Sequence, residues 1–276
     1  MALTVNTNIA SMSALTQLNQ SNRALSGTLE RISTGLRINS AADDAAGLAV
    51  AENLDAQARS LSVAARNTND GIAIIQTAES ASSEVSNILK RMRELAVQSA
   101  SETLGDSERA YIQEEFLGLS AEIDRIASVT EFNGVSLADG SASTISVQVG
   151  INNTANDQID ITLGDLRAAT MGVDVGSVDM STSAGASAAL TAIDGALDQV
   201  ATTRSGFGAV QNRFESTLRH IENYQMNLAS AESQIRDADF AKEAAELAKH
   251  QTMQQAGIAS LAQATSITQA AVQLIS

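Results

Sequence analysis

Apolar residues recur every three or four positions over most of the chain, the period of α-helices with one buried face. The first stripe is Ile9, Met12, Leu15, Leu18, Leu25, Leu29, Ile32 and Leu36, which predicts a long helix broken near Gly27 or Gly35. Unbroken, it would span about 50 Å at 1.5 Å per residue, too long to double back inside a compact domain. A second stripe, Leu54, Ala58, Leu61, Ala65, Thr68, Ile72 and Ile75, steps by fours and threes, then resumes after a phase slip as Ala81, Val85, Ile88, Met92 and Leu95. Strict alternation of four and three is a coiled-coil seam, and Ala and Thr within it bring the partner helix close. Tyr111, Ile112, Phe116, Leu119, Ile123 and Ile126 predict a third helix.

The period then changes. Asn133-Gly134 is a tight-turn signal. Ile145, Val147 and Val149 alternate with polar residues, as do Ile159, Ile161 and Leu163, which predicts a β-hairpin or small sheet at about 131–165. Residues 172–187 are mostly Gly, Ser, Ala, Thr and Asp and are expected to form a short linker. Helical spacing returns from Leu190 through Phe214 and Leu228 to Ile235. It ends with Leu247, Gln251, Gln254, Ile258, Leu261, Thr265, Thr268, Val272 and Ile275.

Charge divides the chain the same way. Its 276 residues carry a net −15, yet residues 1–42 carry +2 and residues 247–276 carry +1, so all of the acidity lies between them. Both ends are nearly charge-free and apolar at helical spacing, as if meant for burial. An acidic body with no basic run does not suit nucleic acid. No segment reaches the roughly 18–20 apolar residues of a membrane span, so no membrane insertion is expected. The start, MALTVNTNIA, is no ordinary secretory signal: the chain stays in the cytoplasm or leaves by a route that cleaves nothing. Ala accounts for 48 residues while Trp, Pro and Cys are absent, a composition for closely packed helices rather than a thick aromatic core.

The fold expected is mainly α: a long antiparallel helical bundle or coiled coil with a small β-hairpin element, its N- and C-terminal helices paired at one end. Residues 1–42 with 247–276 would form a terminal helical domain, and 43–171 with 188–246 an acidic bundle. Alone, the terminal pair would be thin and marginal in water. It is expected to order when many copies pack together, the neutral ends forming an inner tube where charge is costly to bury.

Catalytic chemistry finds little support. His220 and His250 lack a second His at i+4, so no metal site is expected. Asp43, Asp44, Asp237 and Asp239 could be read as paired carboxylates, but where the neutral helices meet the acidic body they are expected to be caps or joints. Neither an enzyme nor a cofactor is expected. Lys90, Arg91 and Arg93 form the densest basic cluster, and the plain reading is ion pairing with Glu84, Glu94 or a facing acidic helix, about 0–1 kcal/mol per exposed pair.

VNTNIASM (5–12), GLRINSAADDAAGLAVAENL (35–54), RNTNDGIAIIQTAESA (66–81), RMRELAVQSA (91–100) and EIDRIASVTEFNGVSL (122–137) occur in order, followed by GAVQNRFESTLRHIENYQMNLASAESQIRDADFAKEAAELAKHQTMQQAGIASLAQA (208–264). This ordered set resembles the bacterial flagellins over nearly the whole chain. The resemblance implies a minimal flagellin without separate outer domains, the linker at 172–187 standing in their place. It implies a subunit of the flagellar filament, exported unfolded through a type III channel into an extracellular filament and self-assembling for motility. Its partners would be copies of itself, an export chaperone, the filament cap and hook-junction proteins.

Filament-core packing would fall to Ile9, Leu25, Leu29, Ile32, Leu36, Leu247, Ile258, Leu261, Val272 and Ile275. The resemblance also makes the RELAVQ helix an axial subunit contact and, in many flagellins, the site bound by Toll-like receptor five. By motif match the receptor-facing residues would be Arg91 and Leu95, with Glu115 on the next helix, and Lys90, Arg93 and Glu94 join them as candidates for the receptor or axial contact. A hook–filament junction protein is the nearest alternative. A cytoplasmic signalling coiled coil is one of another class, opposed by the β element between the two halves.

Overall fold

The computed structural model describes residues 7–174 and 176–273, with side chains through Ser266. Among the described residues, five helices carry the chain: α1 (Ile9–Thr34), α2 (Ala45–Ala100), α3 (Asp106–Val129), α4 (Ser183–Arg236) and α5 (Phe240–Gln273). Two separate antiparallel hairpins lie between α3 and α4: β1–β2 (Glu131–Phe132, Val135–Ser136) and β3–β4 (Thr144–Gln148, Gln158–Thr162). The mainly helical class with a small β element is the one expected. None of the described helices is long and apolar enough to cross a membrane. The chain divides into two compact units, one of residues up to Gln57 with those from Asn227 onward, the other of Ala58–Met226.

In the second unit α2 and α4 run antiparallel, as three pairs fix. Arg93 donates to Asp194 at 2.6 Å, Arg204 to Glu79 at 2.8 Å, and Gly71 lies under the Phe214 ring. A Cβ on Gly71 would sit 2.9 Å from that ring, so the close approach requires glycine. The α2 seam is Leu61, Ala64, Thr68, Gly71, Ile75, Ala78, Ser82, Val85, Leu89, Met92, Ala96 and Ser99, all buried. It keeps one unbroken three-four alternation, so the expected phase slip does not occur. Small residues carry the seam where hydrophobicity pointed to Ala65 and Ile72, because a close helix–helix approach selects for size before apolarity.

Asn133 and Gly134 both have positive φ, 50° and 78°, which makes the two-residue β1–β2 loop the turn that matches strand twist. In β3–β4, Ile145 pairs with Ile161 and Val147 with Ile159. Val147, Ile159 and Ile161 turn their side chains inward, against a core that includes Ile75, Phe207 and Phe214.

Residues 172–187 depart from the linker expected of them. Val173, Val178 and Met180 are buried with Met92, Phe116 and Ile193, and α4 already begins at Ser183. Ser99 donates to the Met180 carbonyl at 2.7 Å, and the Met180 N–H donates to Gln113 at 2.8 Å. Gly, Ser and Asp read as slack, but Val and Met supply apolar contacts to the helices and the backbone around Met180 is hydrogen-bonded to them.

The segment after β4 turns on Asp165, which accepts from the Arg167 guanidinium at 2.7 Å, the Thr170 hydroxyl at 2.7 Å and the Arg167 N–H at 3.1 Å. Arg167 foremost, then Thr170, holds the carboxyl down to about 2. A carboxyl depressed by folding stabilises the native state above its unfolded value, and that contribution is lost as acid protonates it. Between about pH 4 and 2 the thermal midpoint of the parent should therefore fall more steeply than that of Asp165→Asn. Parallel curves in scanning calorimetry would refute this.

Candidate functional site

The first unit is built on the α1–α5 pair. Asn8 caps α1 by accepting the Ser11 N–H at 3.0 Å, and its side-chain amide donates to the Ala264 carbonyl at 2.9 Å. Further along, Gln254 donates to Asn22 at 2.9 Å, and Arg31 lies 3.6 Å from the buried Glu243. Gly35, left-handed at φ 72°, ends α1, and Leu36 bridges Asp237. These partners keep one antiparallel register over the length of the pair.

The facing seams are regular. On α1 they are Ser11, Ala14, Leu18, Ser21, Leu25, Thr28 and Ile32; on α5, Glu243, Leu247, His250, Gln254, Gly257, Leu261 and Ala264. Both step strictly by threes and fours, and every member is buried or half-buried. Of the α5 seam expected from sequence, Leu247, Gln254 and Leu261 belong, but Gln251, Ile258 and Thr265 lie outside it. His250, Gly257 and Ala264 take their places, because Leu18 comes so near that a Cβ on Gly257 would stand 3.3 Å from it.

The consequence is an inverted helix pair. Small and polar residues are inside, Ser21 and Thr28 being the buried residues of α1. Leu18, Leu25, Ile32, Leu247 and Leu261 share that seam half-buried, while a second set of large apolar side chains faces out: Ile9 is 71% exposed, Met12 61% and Ile258 55%, with Leu15, Leu29 and Phe240 also exposed. A soluble monomer ordinarily does the reverse, and exposed apolar surface of this kind marks an interaction face. Among the expected core-packing residues, Leu25, Ile32, Leu247 and Leu261 thus serve the internal seam and Ile9, Leu29 and Ile258 are outward. Leu36 is half-buried at the bridge. The Val272 side chain and Ile275 lie outside the described residues.

Of the four carboxylates at the joint, Asp44 and Asp239 act as helix caps. Asp44 accepts the Gly47 N–H at 2.9 Å at the start of α2, and Asp239 accepts those of Ala241 and Lys242 at 2.9 and 3.2 Å at the start of α5. Asp43 accepts the N–H groups of Ser40 and Asn39, which hold its carboxyl below the usual range. His220 stacks on Tyr224 with ring centroids 6.2 Å apart, and His250 Nε2 lies 3.5 Å from Glu246. Among the described residues no group of three His, Cys, Asp or Glu is placed to hold a metal.

The basic cluster divides. Arg91 donates to Glu115 on α3 at 2.8 Å and to Glu94 at 3.0 Å, and these carboxylates, Glu115 first, raise its pKa. Arg93 turns instead to Asp194 on α4. Lys90 is exposed and makes no ion pair among the described residues. Leu95 does not join the surface patch, being 2% exposed in the core with Met92 and Phe116. It lies three residues after the seam position Met92, whereas the exposed apolar neighbour is Val97.

The bacterial flagellin N-terminal helical region matches residues 5–143, and the bacterial flagellin C-terminal helical region matches residues 190–275. Flagellin of Halalkalibacterium halodurans is 45% identical over 94% of this chain and 93% of its own length. Flagellin of Bacillus subtilis is 38% identical over 98% of this chain and 99% of its own length. Among solved structures, the crystal structure of Bacillus cereus flagellin is similar at a TM-score of 0.50 and 30% identity, over 60% of this chain and 94% of that one.

Proposed function

The chain belongs to the bacterial flagellin family and is a structural subunit of the flagellar filament, and we propose that its inverted terminal helix pair is the element that polymerises. Residues 1–42 and 247–276 form the filament core, copy against copy, and the acidic residues 43–171 and 188–246 surround it. One observation carries this reading: the pair buries Ser and Thr within itself and turns Ile9, Met12, Leu15 and Ile258 outward. Copies of the chain supply the long, charge-poor partner that such a face requires. Stacking is head-to-tail, and a screw rotation that does not close yields an open filament.

Family membership supports the remaining steps. The subunit leaves the cell unfolded through the flagellar type III channel, accompanied to it by an export chaperone, and folds under the filament cap beyond the hook-junction proteins. The filament is extracellular and serves motility. Lys90, Arg91, Arg93, Glu94 and Glu115 form the exposed axial patch, which is also the surface offered to Toll-like receptor five. Leu95 supports that patch from beneath.

Electron microscopy of the purified, untagged full chain after seeding or salt-induced assembly tests the reading, beside a chain trimmed to 43–246. Filaments from the full chain and none from the trimmed one are expected. Filaments of the same form from the trimmed chain would refute the assignment of the termini. If both remained folded monomers, assembly would not be intrinsic and a junction-protein role would gain.

A further inference from the structure

Methionine is unevenly placed in this chain. Met92, Met171 and Met180 are buried, whereas Met226 is 62% exposed and Met12 and Met253 lie on the surface of the terminal pair at 61% and 38%. Met12 stands one helical turn from both Ile9 and Leu15, on the outward apolar surface of α1. Met253 lies immediately outside the α5 seam, beside Gln254. An unbranched thioether adapts to irregular apolar gaps, which suits a face that many copies must cover.

We propose that Met12 and Met253 are oxidation sites through which peroxide decides whether a free subunit can enter the filament. The proposal rests on the terminal pair being the polymerising face. In the reaction the thioether sulfur attacks one peroxide oxygen with a lone pair, and the O–O bond breaks. The sulfur keeps that oxygen as a sulfoxide, and the other leaves as water with both peroxide protons. Sulfur is oxidised by two electrons and peroxide reduced by two.

The product is a strong acceptor where a flexible apolar group stood. The N–H groups of Ser11 and Met12 already donate to Asn8, and residues 1–42 and 247–276 carry few charged donors. Covering the sulfoxide with another copy therefore buries an acceptor without a partner. The buried methionines are shielded from the reagent, and Met226, exposed on α4 outside the terminal pair, is a built-in control.

The test treats the full-length monomer with limiting hydrogen peroxide, maps sulfoxide by peptide mass spectrometry, then seeds assembly and separates pellet from supernatant. Sulfoxide is expected at Met12, Met226 and Met253. The critical concentration should rise by about tenfold or more once Met12 and Met253 are oxidised. The pellet should be depleted of sulfoxide at those two positions and not at Met226. Equal sulfoxide content in pellet and supernatant at Met12 and Met253 would overturn the proposal without any variant.

The double variant Met12→Leu/Met253→Leu keeps apolar volume and should still assemble after peroxide, whereas Met226→Leu should give no protection. Loss of assembly by the oxidised double variant to the same extent as the parent would also overturn it. If the untreated parent made no filaments, the assembly reading itself would fall and this proposal with it. The two failures are thus told apart by the untreated control.

Discussion

Ile258→Asp should leave a folded monomer that no longer forms filaments. In the single chain the side chain is 55% exposed on α5, outside the seam, so an aspartate there is solvated. The cost to the monomer is the helix propensity of Asp, about 0.7 kcal/mol or less. In the proposed assembly the same position is covered by another copy, in segments that carry only Arg23, Glu30, Arg31, Arg37 and Lys249 as charges. Burying an unpaired carboxylate costs several kcal/mol even after relaxation. At about 1.4 kcal/mol per factor of ten, a cost near 4 kcal/mol raises the critical concentration roughly a thousandfold. The measurement is seeded sedimentation beside circular dichroism of the monomer. An unchanged melting curve with no pellet is expected, and wild-type filament yield would remove Ile258 from the interface.

That experiment turns on a feature the sequence displayed and also obscured. Apolar spacing located all five helices, because any helix with a buried side repeats near 3.6 residues whatever covers it. It did not tell which apolar residues face the chain's own partner helix and which are left exposed. On α1 the pattern merged both sets: Leu18, Leu25 and Ile32 belong to the internal seam, while Ile9, Met12, Leu15 and Leu29 do not. The separating signal was present in the small residues, since Ser11, Ala14, Ser21 and Thr28 complete a strict three-four alternation that hydrophobicity passes over.

The same reason explains the spurious phase slip in α2, where Gly71, Ala78 and Ser82 hold the register. Turn chemistry was more legible, because positive φ is a local demand: Asn133-Gly134 was readable from residue type, whereas of Gly27 and Gly35, both offered as the break in the first helix, only Gly35 takes positive φ and Gly27 stays within α1. Leu95 carried two readings: the apolar stripe set it with Val85, Ile88 and Met92, and it is buried with them, while the resemblance set it among contact residues, because a motif says which residues matter in a helix but not which side of it each occupies.

The largest effect on monomer stability is expected at Arg109, which composition gave no reason to single out. It lies in the first turns of α3 and is 5% exposed, and no carboxylate is within ion-pairing distance among the described residues. Instead its guanidinium donates to three backbone carbonyls: Ser99 in the last turn of α2, and Ser101 at 2.8 Å and Leu104 at 3.2 Å in the connection to α3. The last carbonyls of a helix lack partners within it and carry the negative end of its dipole. A buried cation with several donors in a planar fork satisfies both demands at once. Arg109→Ala removes the side-chain donor from the Ser99 and Leu104 carbonyls, leaves Ser101 only the Leu104 N–H, and opens a cavity beside them, a loss of about 2–4 kcal/mol. In a chain of this size that lowers the thermal midpoint by roughly 5–15 °C. Arg109→Lys keeps the charge but not the fork, so its midpoint should fall between the two. Were Arg109→Lys as damaging as Arg109→Ala, geometry alone would account for the residue. A midpoint unchanged in both would mean that water replaces the guanidinium at the α2 terminus and that the helix end needs no internal cap.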